Sequence, residues 1–195
     1  IYHGIYDLSG DSNTLTLSYE FDEAEVKAFR SRCKYSLPGL PKLTLDLGGN
    51  LDPATIEVAL HGGLQTAAPL TICPVEASAG QTAYFAEAVP LQYQWGGAVG
   101  ELGAIKAKAV GAGSELIRGI VLGAGSYSSN GSGTAFNLGD VDSDQSLYCC
   151  IHVVSLTGTG SVLIESDDGQ AFASPVDRAG LEDITEPAAD YIVVS

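Results

Sequence analysis

Methionine is absent, tryptophan occurs once, and lysine and arginine together number 9 in 195 residues, against 24 aspartates and glutamates. The resulting net charge of -15 repels phosphate and excludes nucleic-acid binding through an ordinary basic patch. No apolar run approaches the ~18 residues that span a bilayer, so no membrane partner is expected. The opening Ile1-Tyr2-His3-Gly4 has no basic stretch ahead of an apolar one, so no signal peptide is visible. The initiating methionine and the first few residues are expected to be missing from this start. Cysteine is scarce too. Cys33, Cys73, Cys149 and Cys150 make no C-x-x-C pair, and adjacent Cys149 and Cys150 point to opposite faces of any strand. Neither a disulfide framework nor a zinc site is expected; buried, reduced thiols made in a reducing cytoplasm are.

What is present is strand. A hydrophobic content of 45% supports a packed core, and 24 glycines suit tight turns and close strand contacts. Residues 12–19 (SNTLTLSY) alternate Leu with Thr or Ser, and residues 42–47 (KLTLDL) place Leu43, Leu45 and Leu47 on one face. Further strands are predicted at 70–75, 82–93, 103–110, 115–122, 147–155, 160–166 and 191–194. Two helices interrupt them. Residues 22–30 (DEAEVKAFR) open acidic, close basic and space Val26 and Phe29 by three. Residues 52–60 combine Asp52 as N-cap, Pro53 in the first turn, the stripe Ile56, Ala59 and Leu60, and Gly62-Gly63 as the stop. Residues 123–133 (GAGSYSSNGSG) are uncharged and rich in Gly and Ser. They divide a domain at 1–122 from a strand-rich segment at 134–195, in which Arg178 is the only base.

Chemistry-bearing motifs fail on inspection. Asp140, Asp142 and Asp144 begin like a calcium loop, but Gln145 stands where glycine is needed and Ile151 where the bidentate glutamate belongs. An acidic turn is the better reading. Asp167-Asp168-Gly169 is likewise hairpin-turn chemistry. His3, His61 and His152 fall in different elements, and no G-x-S-x-G elbow or phosphate loop occurs. The chain therefore reads as a non-enzyme with no catalytic residue, cofactor or metal.

Charge is placed unevenly. Glu20, Asp22, Glu23 and Glu25 form an acidic block, and Lys27, Arg30, Arg32, Lys34 and Lys42 follow with no acid among them. Two readings stand. One is a solvated helix and loop laced by pairs such as Glu23/Lys27. The other is a bipolar contact loop that docks on an acidic patch of a neighbouring copy, with Lys27, Arg30, Arg32 and Lys34 as contact residues.

Several segments in order resemble a known family. DLSGDSNTLTLSYE, SLPGLPKLTLDLGGNLD and DPATIEVAL, then TAYFAEAVPLQYQWGGAVGELGAIKAKAVGAGSELIRGIVL, are similar to siphophage tail tube (major tail) proteins. SGTAFNLGDVDSDQSLYCCIHVVSLTGTGSVLIESDDGQAFASP looks like the β-rich C-terminal part of some members. No single motif is diagnostic; the order of segments carries the likeness. It implies a mainly β fold, a β-sandwich with one or two short helices, whose strands join those of sister copies in an oligomeric β-barrel. It further implies stacked hexameric rings in the virion tail, assembled in the host cytoplasm. An acidic lumen would let double-stranded DNA transit without specific binding, beside tape measure and head-tail completion proteins. The family often continues past this end, so one or two closing strands are expected to be missing. The alternative is a secreted β-sandwich for carbohydrate binding or adhesion, with Trp95, Tyr93 and Tyr84 as a stacking platform.

Overall fold

The computed structural model describes residues 1–26, 35–52, 54–101, 103–139, 145–167 and 172–194. Among them, β1 (Tyr2–His3) and β2 (Tyr6–Asp7) form a tight hairpin, followed by two long strands, β3 (Ser12–Val26) and β4 (Tyr35–Asn50). A single helix, α1 (Ile56–His61), precedes β5 (Ala68–Ile72), β6 (Thr82–Gly96), β7 (Ala104–Gly111) and β8 (Ile117–Ile120). The C-terminal strands are β9 (Leu147–Val153), β10 (Gly160–Ser166), β11 (Val176–Ile184) and β12 (Ala188–Val194).

Alternation in sequence becomes two-sidedness in space. Leu15, Leu47, Ala107 and Tyr93 form one row across β3, β4, β7 and β6, and Leu17, Leu45 and Ala109 form another. Leu43, Leu45 and Leu47 are buried, as the pattern predicts. Helix α1 lays Ile56, Ala59 and Leu60 against Leu8, Leu47, Ile105 and Ala107. A second cluster joins Leu45, Leu70, Ile72, Ala88 and Ala109. The opposite face, with Thr14, Thr16, Asp46, Lys106, Lys108, Gln92 and Gln94, is exposed.

The expected sandwich closing into a barrel is corrected by the sheet order. The protein is mainly β, but its sheets are open. The large sheet runs β2-β1-β5-β6-β7-β4-β3, with β8 added to β6, and β2 and β3 end it unjoined. Two separate pairs, β10-β11 and β12-β9, complete the described strands. The physical reason lies in pairing: β3 spends one flank on β4, and β2 spends one on β1, so nothing connects the ends.

The helix expected at 22–30 is also corrected. Residues 22–26 are strand, with Glu23 opposite Pro38 and Val26 opposite Tyr35. Cross-strand pairing along a long hairpin overrides the local charge pattern, which alternates well enough for either structure. The remainder of that segment lies outside the described residues. Helix α1 begins at Ile56, later than read. Asp52 accepts the Ala54 amide (2.9 Å) in a turn just before it, and the cap position itself falls to Thr55, whose side chain makes no capping bond. Gly62 ends it as expected, its amide reaching the Val58 carbonyl. Strands β1, β2 and β11 went unread in sequence: the first two are only two residues long, and β11 (VDRAGLEDI) breaks its alternation at Gly180.

Candidate functional site: an edge strand, a protruding arm and an interlayer cluster

Only Thr44–Asn50 of β4 pairs with β7, so the first part of β4 and its partner in β3 run past the sheet as a two-stranded arm. A bulge sits in this arm. Phe21 faces Pro41 and Glu23 faces Pro38, which leaves Gly39 and Leu40 opposite Asp22 alone. Prolines on either side cannot donate to the ladder, and a Cβ at Gly39 would stand 2.9 Å from the Asp22 carbonyl oxygen. The arm exposes apolar side chains: Leu40 is 80% exposed, Phe21 and Leu37 56% each. The ring of Tyr19 stands edge-on to that of Phe21 at 5.5 Å.

Among the described residues, no strand pairs with the outer flank of β3, which is fifteen residues long. Glu20, Asp22, Glu23 and Glu25 lie along it. Such an acidic edge opposes pairing with the same edge of a second copy and leaves a different surface as the favoured partner. The predicted contact residues Lys27, Arg30, Arg32 and Lys34 lie outside the described residues, as do Asp140, Asp142, Asp144 and Cys33.

A second feature joins the large sheet to the C-terminal strands. His152 and Cys150, two apart on β9, face Thr71 of β5. The His152 Nδ1–H donates to the Gly4 carbonyl (2.7 Å), which fixes the tautomer and leaves Nε2 to accept from the Thr71 hydroxyl at 2.8 Å. The Cys150 sulfur is 3.2 Å from both Nε2 and the Thr71 hydroxyl, and the imidazole stacks tilted on Tyr2 at 5.6 Å. Burial lowers the His152 pKa, opposed by the Gly4 carbonyl. Burial also pushes the Cys150 thiol up to about 11, with the Thr71 hydroxyl pulling the other way. A thiol against an imidazole has the reach of a nucleophile–base pair. Here the thiol is held protonated inside an interface, the reverse of activation, and the cluster acts as a polar pin between layers.

Spacing on one strand could have placed Cys150 beside His152; nothing in the sequence names Thr71 or Gly4 as their partners. Cys149 is buried on the other face of β9, as adjacency predicts. Trp95 is 69% exposed near the turn after β6, and Tyr84 is eleven residues back on the same strand, about 36 Å by strand rise. Tyr93 packs instead on His61 at 5.9 Å. The structure does not bring the three aromatics together. Among the described residues no group of three His, Cys, Asp or Glu is placed to hold a metal ion, and no helix is long and apolar enough to cross a membrane.

No protein-family model matches the sequence, and no curated protein matches it either.

Proposed function

We propose that this chain is a self-assembling structural subunit, and that its assembly is the tube of a bacteriophage tail, built from hexameric rings stacked head to tail. The observation that carries this reading is the arm of β3 and β4, which holds Phe21, Leu37 and Leu40 in solvent beside an unpaired fifteen-residue edge. Exposed apolar side chains on a projecting hairpin have no use in a solitary molecule and fit a neighbour's surface. An acidic edge that rejects its own kind favours a heterologous contact, and repeated heterologous contacts generate rings or filaments. The net charge of -15 suits a channel wall along which DNA moves without adhering. Tape measure and head-tail completion proteins are the proposed partners in the virion.

Negative-stain electron microscopy of the purified protein tests this directly. Rings or tubes with a central hole of duplex width are expected; dispersed monomers at high concentration would remove the proposal. Phe21→Asp with Leu40→Asp, both at exposed positions, is expected to abolish assembly while leaving the circular dichroism of the monomer unchanged.

A further inference from the structure

The core-facing side of the large sheet outruns its cover at both ends of the strands. At one end the buried row Leu47, Leu45 and Leu43 of β4 continues as Pro41. The row Leu15, Leu17 and Tyr19 of β3 continues as Phe21, directly opposite Pro41. Leu43 is buried, whereas Pro41, Phe21 and the bulge residue Leu40 stand in solvent. At the other end the row through Tyr93 and Ala107 continues as Trp95, which is exposed although it lies opposite the buried Ile105. Just past it Val99 is fully exposed, in the turn that Glu101 closes by donating its amide to the Ala98 carbonyl (3.0 Å). Residues 94–100 (QWGGAVG) carry no charge. The outer side of the sheet also differs between the two ends. On the arm, beyond the Glu20–Lys42 cross-strand pair, alternation puts the exposed Asp22 there. Beside Trp95 it presents the exposed Lys106, whose cross-strand neighbours Gly48 and Gln94 are uncharged.

We infer that the arm of one copy lies on the β6–β7 hairpin of the next, with Phe21, Pro41 and Leu40 against Trp95 and Val99, and Asp22 against Lys106. The inference rests on the self-assembly reading and supplies the surface that receives the arm. Strand pairing makes the contact intermolecular. Trp95 lies across from Ile105 and so from Gly49, while Phe21 lies across from Pro41, eight residues away on β4, or about 26 Å of strand. A sheet tied together over that length cannot lay its own arm on its own hairpin. The match is two-sided. Apolar side chains meet apolar ones on one face and an acid meets a base on the other, so a copy docked upside down loses both. Large aromatic anchors at the centre of such a patch carry most of a contact's strength. Glu101, on the same hairpin, opposes the acids of the arm and weakens the contact. Each copy carries one arm and one receiving hairpin at opposite ends of its strands, a heterologous arrangement that does not close on two copies.

Trp95 is the chain's only tryptophan, so its fluorescence reads the contact directly. As the wild-type chain is concentrated, its emission should move to shorter wavelength in step with the mass measured by sedimentation. Trp95→Ala keeps the arm, and Phe21→Asp with Leu40→Asp keeps the hairpin. Each is expected to weaken association about thirtyfold with far-ultraviolet circular dichroism unchanged. Mixed, the two should form one-to-one pairs and grow no further, because one working arm meets one working hairpin. Lys106→Glu should weaken association about tenfold and Glu101→Gln should tighten it, opposite effects that a loss of folding does not produce. Association with the Trp95 emission fixed, or a mixture no stronger than either variant, would overturn this contact and leave the assembly reading standing. A shift brought on by phosphatidylcholine vesicles, with none on concentrating the protein, would overturn it in favour of a lipid surface. Pairs from the mixture without rings or tubes from the wild type would uphold the contact and remove the tube. A wild-type chain that stays monomeric would remove both.

Discussion

Removing the His152 imidazole should loosen the C-terminal strands from the large sheet. In His152→Ala the Gly4 carbonyl loses a 2.7 Å bond and the Thr71 hydroxyl a 2.8 Å one, both inside the interface. A buried polar group left without a partner costs roughly 1–3 kcal/mol. The hydroxyl can turn to the Cys150 sulfur, 3.2 Å away, so the carbonyl bears most of the loss. Adding the emptied ring volume beside Tyr2, the expected destabilisation is about 3–4 kcal/mol. That is a large share of the 5–15 kcal/mol that ordinarily holds a domain folded. Thr71→Val keeps the shape and leaves Nε2 to the Cys150 thiol, so it should cost only about 1 kcal/mol.

Urea unfolding measures both. Trp95, on β6, reports the large sheet by fluorescence, and Tyr148 and Tyr191, on β9 and β12, report the C-terminal strands by near-ultraviolet circular dichroism. In His152→Ala the tyrosine signal should be lost at lower urea than the tryptophan signal, while in the wild type the two coincide. A cost below about 1 kcal/mol, or equal effects from the two substitutions, would refute the pin as described.

Three further outcomes are expected. Burial lowers the pKa of both His3 and His152, so the unfolded chain takes up protons before the folded one does. Stability should therefore be level above about pH 6.5 and fall as pH drops below it, a slope that His152→Ala reduces in urea midpoints. Cys150, pushed up to about 11, should react at pH 8 about a hundredfold slower with iodoacetamide than in the unfolded chain, as read by mass spectrometry of its peptide. Gly49→Ala would drive a methyl group into the carbonyl oxygen of Asp11, on the strand approach that Asn50 also bonds, and should cost about 2–3 kcal/mol in thermal unfolding. An unchanged melting temperature would mean that the β3 bulge near Asn13 is soft.

Strand interiors were legible because period-two patterning is a local property. Leu43, Leu45 and Leu47 alternate, are buried together, and set the inner face of four strands. Where a strand is paired by distant chain rather than by its own pattern, the sequence misleads. Residues 22–26 carry a helical charge order, yet Glu23 to Val26 are paired across the ladder with Pro38, Leu37, Ser36 and Tyr35. The pin was invisible for the same reason: Thr71 and His152 are 81 residues apart, and only the folded layers bring them to 2.8 Å.

The same distinction bears on assembly. A sheet interior is specified by its own alternation, whereas an edge is specified by what it refuses. The four acids along β3 forbid pairing with an identical edge, and the same chain gathers four bases at 27–34, just beyond the arm. Had both signs been mixed along the edge, copies could pair in many registers and aggregate. Segregating them permits attraction only between unlike surfaces, which fixes direction as well as contact. Neutralising the edge, with Glu20, Asp22, Glu23 and Glu25 all changed to their amides or to Asn, is therefore expected to produce irregular, thioflavin-positive aggregates in place of ordered assemblies. Ordered assembly by that variant would show that the edge charges play no part in choosing the partner.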